Sequence, residues 1–187
     1  MRKILVLTLV LLGFAGSALA QVPSSGNVFF GYSYLNTDLS STNRTSLNGW
    51  EASVEGKIIP FLGIVADFGS YYGNADFTFG ACPVSMPPCA TLSVNENVTE
   101  QNYLFGPRVS VSVGRLRPFG EALFGAGHVN ANQAGTSTSF ATALGGGLDY
   151  RLIRFIAWRF QGDYLHTSLF GGHQNNVRLT TGIVIHF

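Results

Sequence analysis

Apolar and polar side chains alternate along short segments throughout the chain beyond its first 25 residues. In the segment from Gly49 to Ile58, one face would carry Trp50, Ala52, Val54, Gly56 and Ile58, and the other Glu51, Ser53, Glu55 and Lys57. A strand directs successive side chains to opposite faces, whereas an amphipathic helix needs an apolar stripe that recurs about every 3.6 residues. Beyond residue 20 no convincing stripe of that kind is present. The pattern therefore predicts an all-β fold.

Segments rich in Gly, Asn, Ser and Pro divide the chain into eight predicted strands. They are Val28–Leu35, Gly49–Ile58, Leu62–Tyr72, Val98–Val111, Arg117–His128, Ser139–Leu152, Ile156–Thr167 and Asn176–Phe187. Most reach the roughly 9–11 residues that a tilted strand needs to cross a bilayer.

The predicted connections alternate in length. Long ones, Asn36–Asn48, Gly73–Asn97 and Val129–Thr138, follow odd-numbered strands, and short ones, Ile59–Phe61, Ser112–Leu116 and Ile153–Phe155, follow even-numbered strands. The last connection, Ser168–Asn175, is of intermediate length. This asymmetry and the even strand number are typical of outer-membrane barrels, with short periplasmic turns and longer extracellular loops. We therefore predict an eight-stranded antiparallel up-and-down transmembrane β-barrel.

The amino terminus has the pattern of a secretory signal peptide. Arg2 and Lys3 precede the apolar run Ile4–Leu12, and Ser17–Ala20 supplies the small residues that signal peptidase recognises. We expect cleavage after Ala20, which makes residues 1–20 the signal peptide and residues 21–187 a single barrel domain. The remaining chain has no apolar stretch long enough for a spanning helix, so a membrane location requires a closed barrel.

Charge is sparse and balanced. Only 11% of the residues are charged, against about 25% in an average soluble domain. Without the signal peptide, nine cations stand against ten anions, a net charge of 9 − 10 = −1. This composition gives no electrostatic basis for a nucleic-acid partner.

Within the predicted strands, every charged residue away from the ends can be placed on the face opposite the apolar one. These residues are Glu51, Glu55, Lys57, Asp67, Arg108, Glu121, Asp149, Arg151, Arg159, Asp163 and Arg178. A charge on the lipid face at mid-bilayer costs about 2–4 kcal/mol, so we expect all of them in the lumen. Since eight strands enclose a space that side chains roughly fill, the prediction is a paired and plugged interior. A narrow conducting path through the same charges is the alternative.

Aromatic residues occur where a membrane protein has its interfacial girdles. Trp50, Tyr72 and Tyr103 would lie near the outer rim, and Tyr150, Trp158 and Phe187 near the periplasmic rim. Pro107 interrupts the fourth predicted strand, where a β-bulge or a different strand start is expected. The mid-strand glycines Gly145–Gly147 indicate curvature and close packing rather than a phosphate-binding loop, because no helix follows them.

Two cysteines, Cys82 and Cys89, lie in the longest predicted loop. In an exported protein this pair predicts a disulfide, whose closure would restrict the unfolded loop by about 2.5 kcal/mol in the entropic model. No cluster of Cys and His ligands points to a metal site, and no motif indicates a cofactor.

The last strand ends with alternating apolar residues, Val177, Leu179, Ile183 and Ile185, and a terminal Phe187. This ending, with Gly145–Tyr150 and Asp163–Leu165, resembles sequences of the eight-stranded outer-membrane β-barrel family that includes the N-terminal domain of OmpA. The resemblance implies a monomer in the outer membrane of a Gram-negative envelope, recognised by the barrel-assembly machinery through its last strand. Its surroundings would be outer-membrane lipid and lipopolysaccharide. The periplasmic peptidoglycan-binding domain of OmpA proteins has no counterpart before the chain ends at Phe187.

The expected function is structural or surface recognition, without catalysis: membrane integrity, or adhesion through the extracellular loops. A narrow porin-like channel is the first alternative. A lipid A-modifying enzyme is the second, because His166 and Ser168 resemble the His and Ser of a barrel lipid A deacylase. However, no acidic residue follows Asp163 to orient His166, and the supporting Asn of that family is absent. A secreted soluble barrel of the lipocalin type, with its apolar face inward, is the third.

Overall fold

The structure, a computed structural model, describes residues 25–38, 44–81, 90–131, 135–168 and 174–187, without the side chains of residues 76–81 and 90–94. The described chain forms one closed antiparallel barrel in which each strand pairs with the next and the last pairs with the first. The strands are β1 (Gly26–Thr37), β2 (Thr45–Ile59), β3 (Leu62–Ala81), β4 (Ala90–Ser110), β5 (Leu116–Ala131), β6 (Gly135–Arg151), β7 (Ile156–Thr167) and β8 (Gln174–His186). The predicted eight-stranded up-and-down barrel is confirmed.

The two ends of the barrel differ. At one end, here called the turn end, residues 60–61, 111–115 and 152–155 make short connections, and Gly26 N donates to Phe187 O at 3.0 Å. At the opposite hairpin end, strand pairing continues well into the segments predicted as long loops. In the β3–β4 hairpin the ladder runs from Leu62↔Val109 to Ala81↔Ala90, so most of Gly73–Asn97 is strand. The alternation of connection lengths is correct, but the loops are shorter than predicted because backbone pairing persists where the side-chain pattern fades.

The outer face of the wall is apolar. Phe30, Leu144 and Phe160 are each at least 60% exposed. The aromatic residues predicted for the girdles are also on this face, and Trp50 takes part in a row of rings, Phe30–Trp50–Phe68–Tyr103, with centroids 4.9–5.9 Å apart. Such an exterior needs an apolar medium, since a soluble protein rarely exposes a continuous apolar surface of this extent.

The expected bulge at Pro107 is absent. Pro107 lies on the outer face of β4 and pairs with Ile64 of β3. The ladder to β5 omits Gly106 and Pro107 and resumes at Arg108↔Glu121 in the register it had at Phe105↔Phe124. The strand therefore accommodates the missing N–H by leaving out ladder contacts rather than by inserting a residue.

No helix in the described ranges is long and apolar enough to cross a membrane. The predicted signal peptide and the pair Cys82–Cys89 lie outside the described residues.

Candidate functional site

Arg178 of β8 is the centre of the charged lumen. Its Nη1 lies 2.7 Å from Asp67 Oδ1, its Nη2 lies 2.7 Å from Asp163 Oδ2, and its Nε lies 3.3 Å from Glu51 Oε2. These carboxylates belong to β3, β7 and β2, so the guanidinium links strands on different sides of the lumen. All four side chains are buried. One buried cation thus faces three carboxylates, and it donates hydrogen bonds from Nε to Asp163 Oδ2 and from Nη1 to Asp67 Oδ1.

A second cation, Arg108 of β4, pairs with Glu121 and Glu55. Its Nε donates to Glu121 Oε2 at 2.6 Å, and its Nη1 lies 3.4 Å from Glu55 Oε2. Gln161 connects this cluster to the first, because its Nε2 donates to Glu121 Oε1 and to Asp163 Oδ2, both at 2.9 Å. The two clusters therefore form one network across the lumen.

Arg159 of β7 forms the third pair, with Asp149. Its Nε and Nη2 donate to the two carboxylate oxygens at 2.7 and 2.9 Å. The guanidinium carbon lies 5.0 Å from the ring centroid of Phe29 and 4.6 Å from that of Phe119. Two inward-facing aromatic rings thus hold this ion pair, and the sequence analysis had not placed either ring in the lumen.

Towards the turn end, Glu55 gathers further cations. Lys57 Nζ lies 3.1 Å and Arg117 Nη2 3.3 Å from Glu55 Oε1. Arg117, close to the start of β5, was not among the predicted lumen residues. Arg151 is the opposite case: it was predicted to lie in the lumen, but as the last residue of β6 it is exposed at the turn end. At the end of the strand its side chain reaches water. It therefore avoids the free-energy cost of placing a charge in an apolar medium, which confines the other charged residues to the lumen.

Glycines make room for the network. A Cβ on Gly145 would lie 2.0 Å from Asp163 Oδ1, and one on Gly147 would lie 2.8 Å from the Phe119 ring and 2.2 Å from Phe160 O. The close packing predicted for Gly145–Gly147 therefore has a specific purpose: it leaves space for a carboxylate and an aromatic ring.

Towards the hairpin end, beside the buried Glu96, Glu100 and Asn102 of β4, the lumen contains a layer of apolar side chains. They include Leu35, Leu47, Tyr71, Val98, Leu104, Leu123, Val129 and Leu165, which are buried in one contiguous cluster. Sequence reasoning missed this layer because it assigned apolar residues to the lipid face alone. The signal was nevertheless present, since Leu165 and Leu123 lie two residues beyond the inward-facing Asp163 and Glu121 and therefore share their face.

The rim pair His166 and Ser168 lies at the hairpin end of β7. His166 Nδ1 is 2.9 Å from Asn175 Oδ1 of the neighbouring β8, so an Asn does lie beside the His, although none was expected from the sequence. An amide oxygen can orient an imidazole but carries no charge to stabilise an imidazolium ion. Among the described residues, no group of three potential ligands could hold a metal ion.

No protein-family model matches the chain, and no curated protein matches it. Several solved structures share its fold. Neisserial surface protein A superposes with a TM-score of 0.66 at 12% identity, covering 88% of this chain and 99% of that one. Ail, the attachment invasion locus protein of Yersinia pestis, gives a TM-score of 0.58 at 13% identity, with coverages of 88% and 99%. The outer-membrane protease OmpT from Escherichia coli gives 0.51 at 10% identity, with coverages of 88% and 97%.

At these identities the likeness establishes the fold. Because the fold occurs in a protease as well as in surface proteins, it does not decide activity. The chain has the fold of small outer-membrane β-barrels, as the sequence-based resemblance predicted.

Proposed function

We propose that this protein is an integral outer-membrane β-barrel with a closed lumen, whose role is structural or surface recognition rather than transport or catalysis. The observation that carries the proposal is the filling of the interior. An ion-pair network occupies the lumen towards the turn end, and the apolar cluster around Leu47, Leu104 and Leu165 occupies it towards the hairpin end. An ion crossing this cluster would have to give up most of its hydration shell among packed Leu and Val side chains, where the polar groups that β4 offers are the buried Glu100 and Asn102. This desolvation costs several kcal/mol.

The apolar exterior supports the membrane location. Its partners would be the acyl chains of the outer membrane and, around the outer rim, lipopolysaccharide. The outward residues of β8, including Leu179, Ile183 and Ile185, and the following Phe187 would serve as the assembly signal during insertion and then face lipid. With a closed wall and no unpaired strand edge, a monomer suffices.

Single-channel recording in a planar bilayer tests the closed lumen. The purified protein, checked for folding by the different gel mobility of its unboiled form, should give no steady conductance steps. Reproducible steps that change in Arg108→Gln or Arg178→Gln protein would replace this proposal with a narrow charge-lined pore.

The long β3–β4 hairpin favours a surface role. β3 and β4 have 20 and 21 residues, about twice the 9–11 that cross a bilayer. At about 3.3 Å per residue, roughly 30 Å of paired strand remains beyond the membrane. The similarly folded Ail is named for attachment and invasion, and a projecting hairpin is a suitable element for contacting another surface.

Shortening this hairpin tests the surface role. Replacement of residues 76–95 by a two-residue Asn-Gly turn should leave the barrel folded, because the rest of β3 and β4 remains paired. Bacteria that display the shortened protein should adhere less to epithelial cells or matrix-coated plates than bacteria that display the full chain. Equal adherence at equal surface expression would remove the hairpin from the proposal.

A lipid A-modifying activity has one supporting contact, the Asn175 oxygen beside His166. Expression of the protein should nevertheless leave the masses of lipid A species unchanged, because no carboxylate supports the imidazole. A mass shift that disappears in His166→Ala and Ser168→Ala protein would establish catalysis instead.

A further inference from the structure

Two short connections meet at the turn end. Residues 111–115 join β4 to β5, and residues 152–155 join β6 to β7. Arg151 N donates to Arg115 O at 2.8 Å, which fixes the first connection beside the end of β6. A cavity of about 150 Å³ opens here, and its lining includes Arg115, Arg117, Arg151, Arg154, His186 and Asp149. We call it the turn-end cavity.

The charges around the turn-end cavity do not balance. Its carboxylate, Asp149, is already engaged by both Nε and Nη2 of Arg159. Arg117 is paired with Glu55. Arg115, Arg151 and Arg154 form no ion pair within the described part of the chain, and the Arg154 guanidinium lies 5.4 Å from the Phe155 ring centroid. Three guanidinium groups therefore remain for an external anion.

Elsewhere in the described part of the chain, no acidic side chain pairs with Arg115, Arg151 or Arg154. Residues 1–24, 39–43, 82–89, 132–134 and 169–173 contain neither Asp nor Glu. Among the acids beyond the lumen network, Asp38, Glu96 and Glu100 lie towards the hairpin end, at the opposite end of the strands. The barrel thus has an excess of positive charge at its turn end.

We propose that the turn-end cavity binds a phosphate group. Guanidinium groups bind phosphate through paired N–H donors, and several of them together suit a doubly charged oxyanion better than a single carboxylate. A cavity of about 150 Å³ is large enough to admit a phosphate group together with some of its water.

The phosphate could belong to a soluble periplasmic compound or to the headgroup of an inner-leaflet phospholipid. This assignment of compartments rests on the proposed function, which directs the turn end to the periplasm. The binding chemistry itself requires only the folded barrel.

The test compares the full chain with an Arg151→Gln/Arg154→Gln variant and with Arg44→Gln, an exposed arginine at the hairpin end. Each protein is refolded in a neutral detergent, and titration calorimetry measures its affinity for inorganic phosphate. In parallel, each protein is placed in phosphatidylcholine nanodiscs with or without phosphatidylglycerol, and native mass spectrometry counts the retained phosphatidylglycerol. The double variant should lose at least tenfold in affinity or retention, whereas Arg44→Gln should match the full chain.

The two measurements distinguish a soluble phosphate compound from a phospholipid headgroup. Saturable binding of inorganic phosphate that depends on Arg151 and Arg154 supports a soluble ligand, and retention of phosphatidylglycerol with the same dependence supports a lipid headgroup. No binding in either arm, or equal losses in both variants, would overturn the phosphate site. A folded barrel without phosphate binding refutes this inference alone, whereas failure to fractionate with outer membranes refutes the proposed function.

Discussion

Arg178 shows how a single residue can organise a lumen. Its guanidinium lies within 3.3 Å of carboxylate oxygens from three strands, and none of these groups has access to water. A buried ion network gives little net stability compared with an apolar core, but removal of one partner leaves the others unpaired in a medium of low polarity. The network therefore makes folding depend strongly on each of its members.

Arg178→Ala should reduce the stability of the folded barrel by about 3–5 kcal/mol, because Glu51, Asp67 and Asp163 lose their shared cation. Arg44→Ala should have a much smaller effect, since within the described ranges the exposed Arg44 donates only to backbone carbonyl oxygens. Urea titration, followed by the mobility of unboiled protein on gels, measures both. Equal yields of folded protein would show that the network does not control folding.

The disulfide predicted between Cys82 and Cys89 can be tested by the reactivity of the two thiols. Cys82 and Cys89 of the exported protein should resist a thiol reagent until a reductant is added. Mass spectrometry after alkylation, with and without reduction, measures this. Full alkylation without reduction would show two free thiols.

At the scale of elements, β6 illustrates why a strand can need residues without side chains. Gly145 and Gly147 face the lumen, where Asp163 and Phe119 occupy the space that side chains on β6 would fill. Glycine lowers the stability of an isolated strand. At these two positions it nevertheless allows the ion-pair network to pack against the wall.

Gly145→Ala should destabilise the barrel by about 1–3 kcal/mol, because the added methyl group would meet Asp163 Oδ1 and the backbone of β7. Gly120→Ala is the matched control: its Cβ would have only one neighbour, at 3.8 Å, and would point to the outer face. Chemical unfolding in the same detergent compares the two. A control as unstable as Gly145→Ala would point to a general effect of glycine replacement in these strands.

At the scale of the whole molecule, the barrel reverses the arrangement of a soluble protein. Most of the charged side chains in its strands are buried, and many of its large apolar side chains are exposed. Cations lie at the short turns of one end, and the long β3–β4 hairpin lies at the other end. This arrangement is stable only when an apolar solvent surrounds the wall.

Leu144→Arg tests that solvent directly. Leu144 is 68% exposed near mid-height of β6, and a cation there should cost about 2–4 kcal/mol in a bilayer. Val113→Arg, at an exposed position in a turn-end connection, should be tolerated. Folding yield in lipid vesicles measures the difference. If Leu144→Arg protein folds as well as the control, or becomes soluble without detergent, the soluble barrel becomes the better description.

The alternation of side chains determined the fold, because a period of two residues is the pattern of paired strands. Charged residues on one face of these strands and apolar residues on the other require the sheet to close into a barrel. The sequence could also assign Arg108, Asp163 and Arg178 to the inner face, since that face follows from parity along each strand. It could not identify their partners: Asp67 and Arg178 are separated by 111 positions, and only closure of β8 onto β1 brings them together. Nor could it place Arg151, whose parity points inward but whose position at the strand end lets it reach water, or Asn175, which meets His166 only through the β7–β8 register. Tertiary structure decided these features because pairing across the lumen depends on strand stagger and closure, which local alternation does not encode.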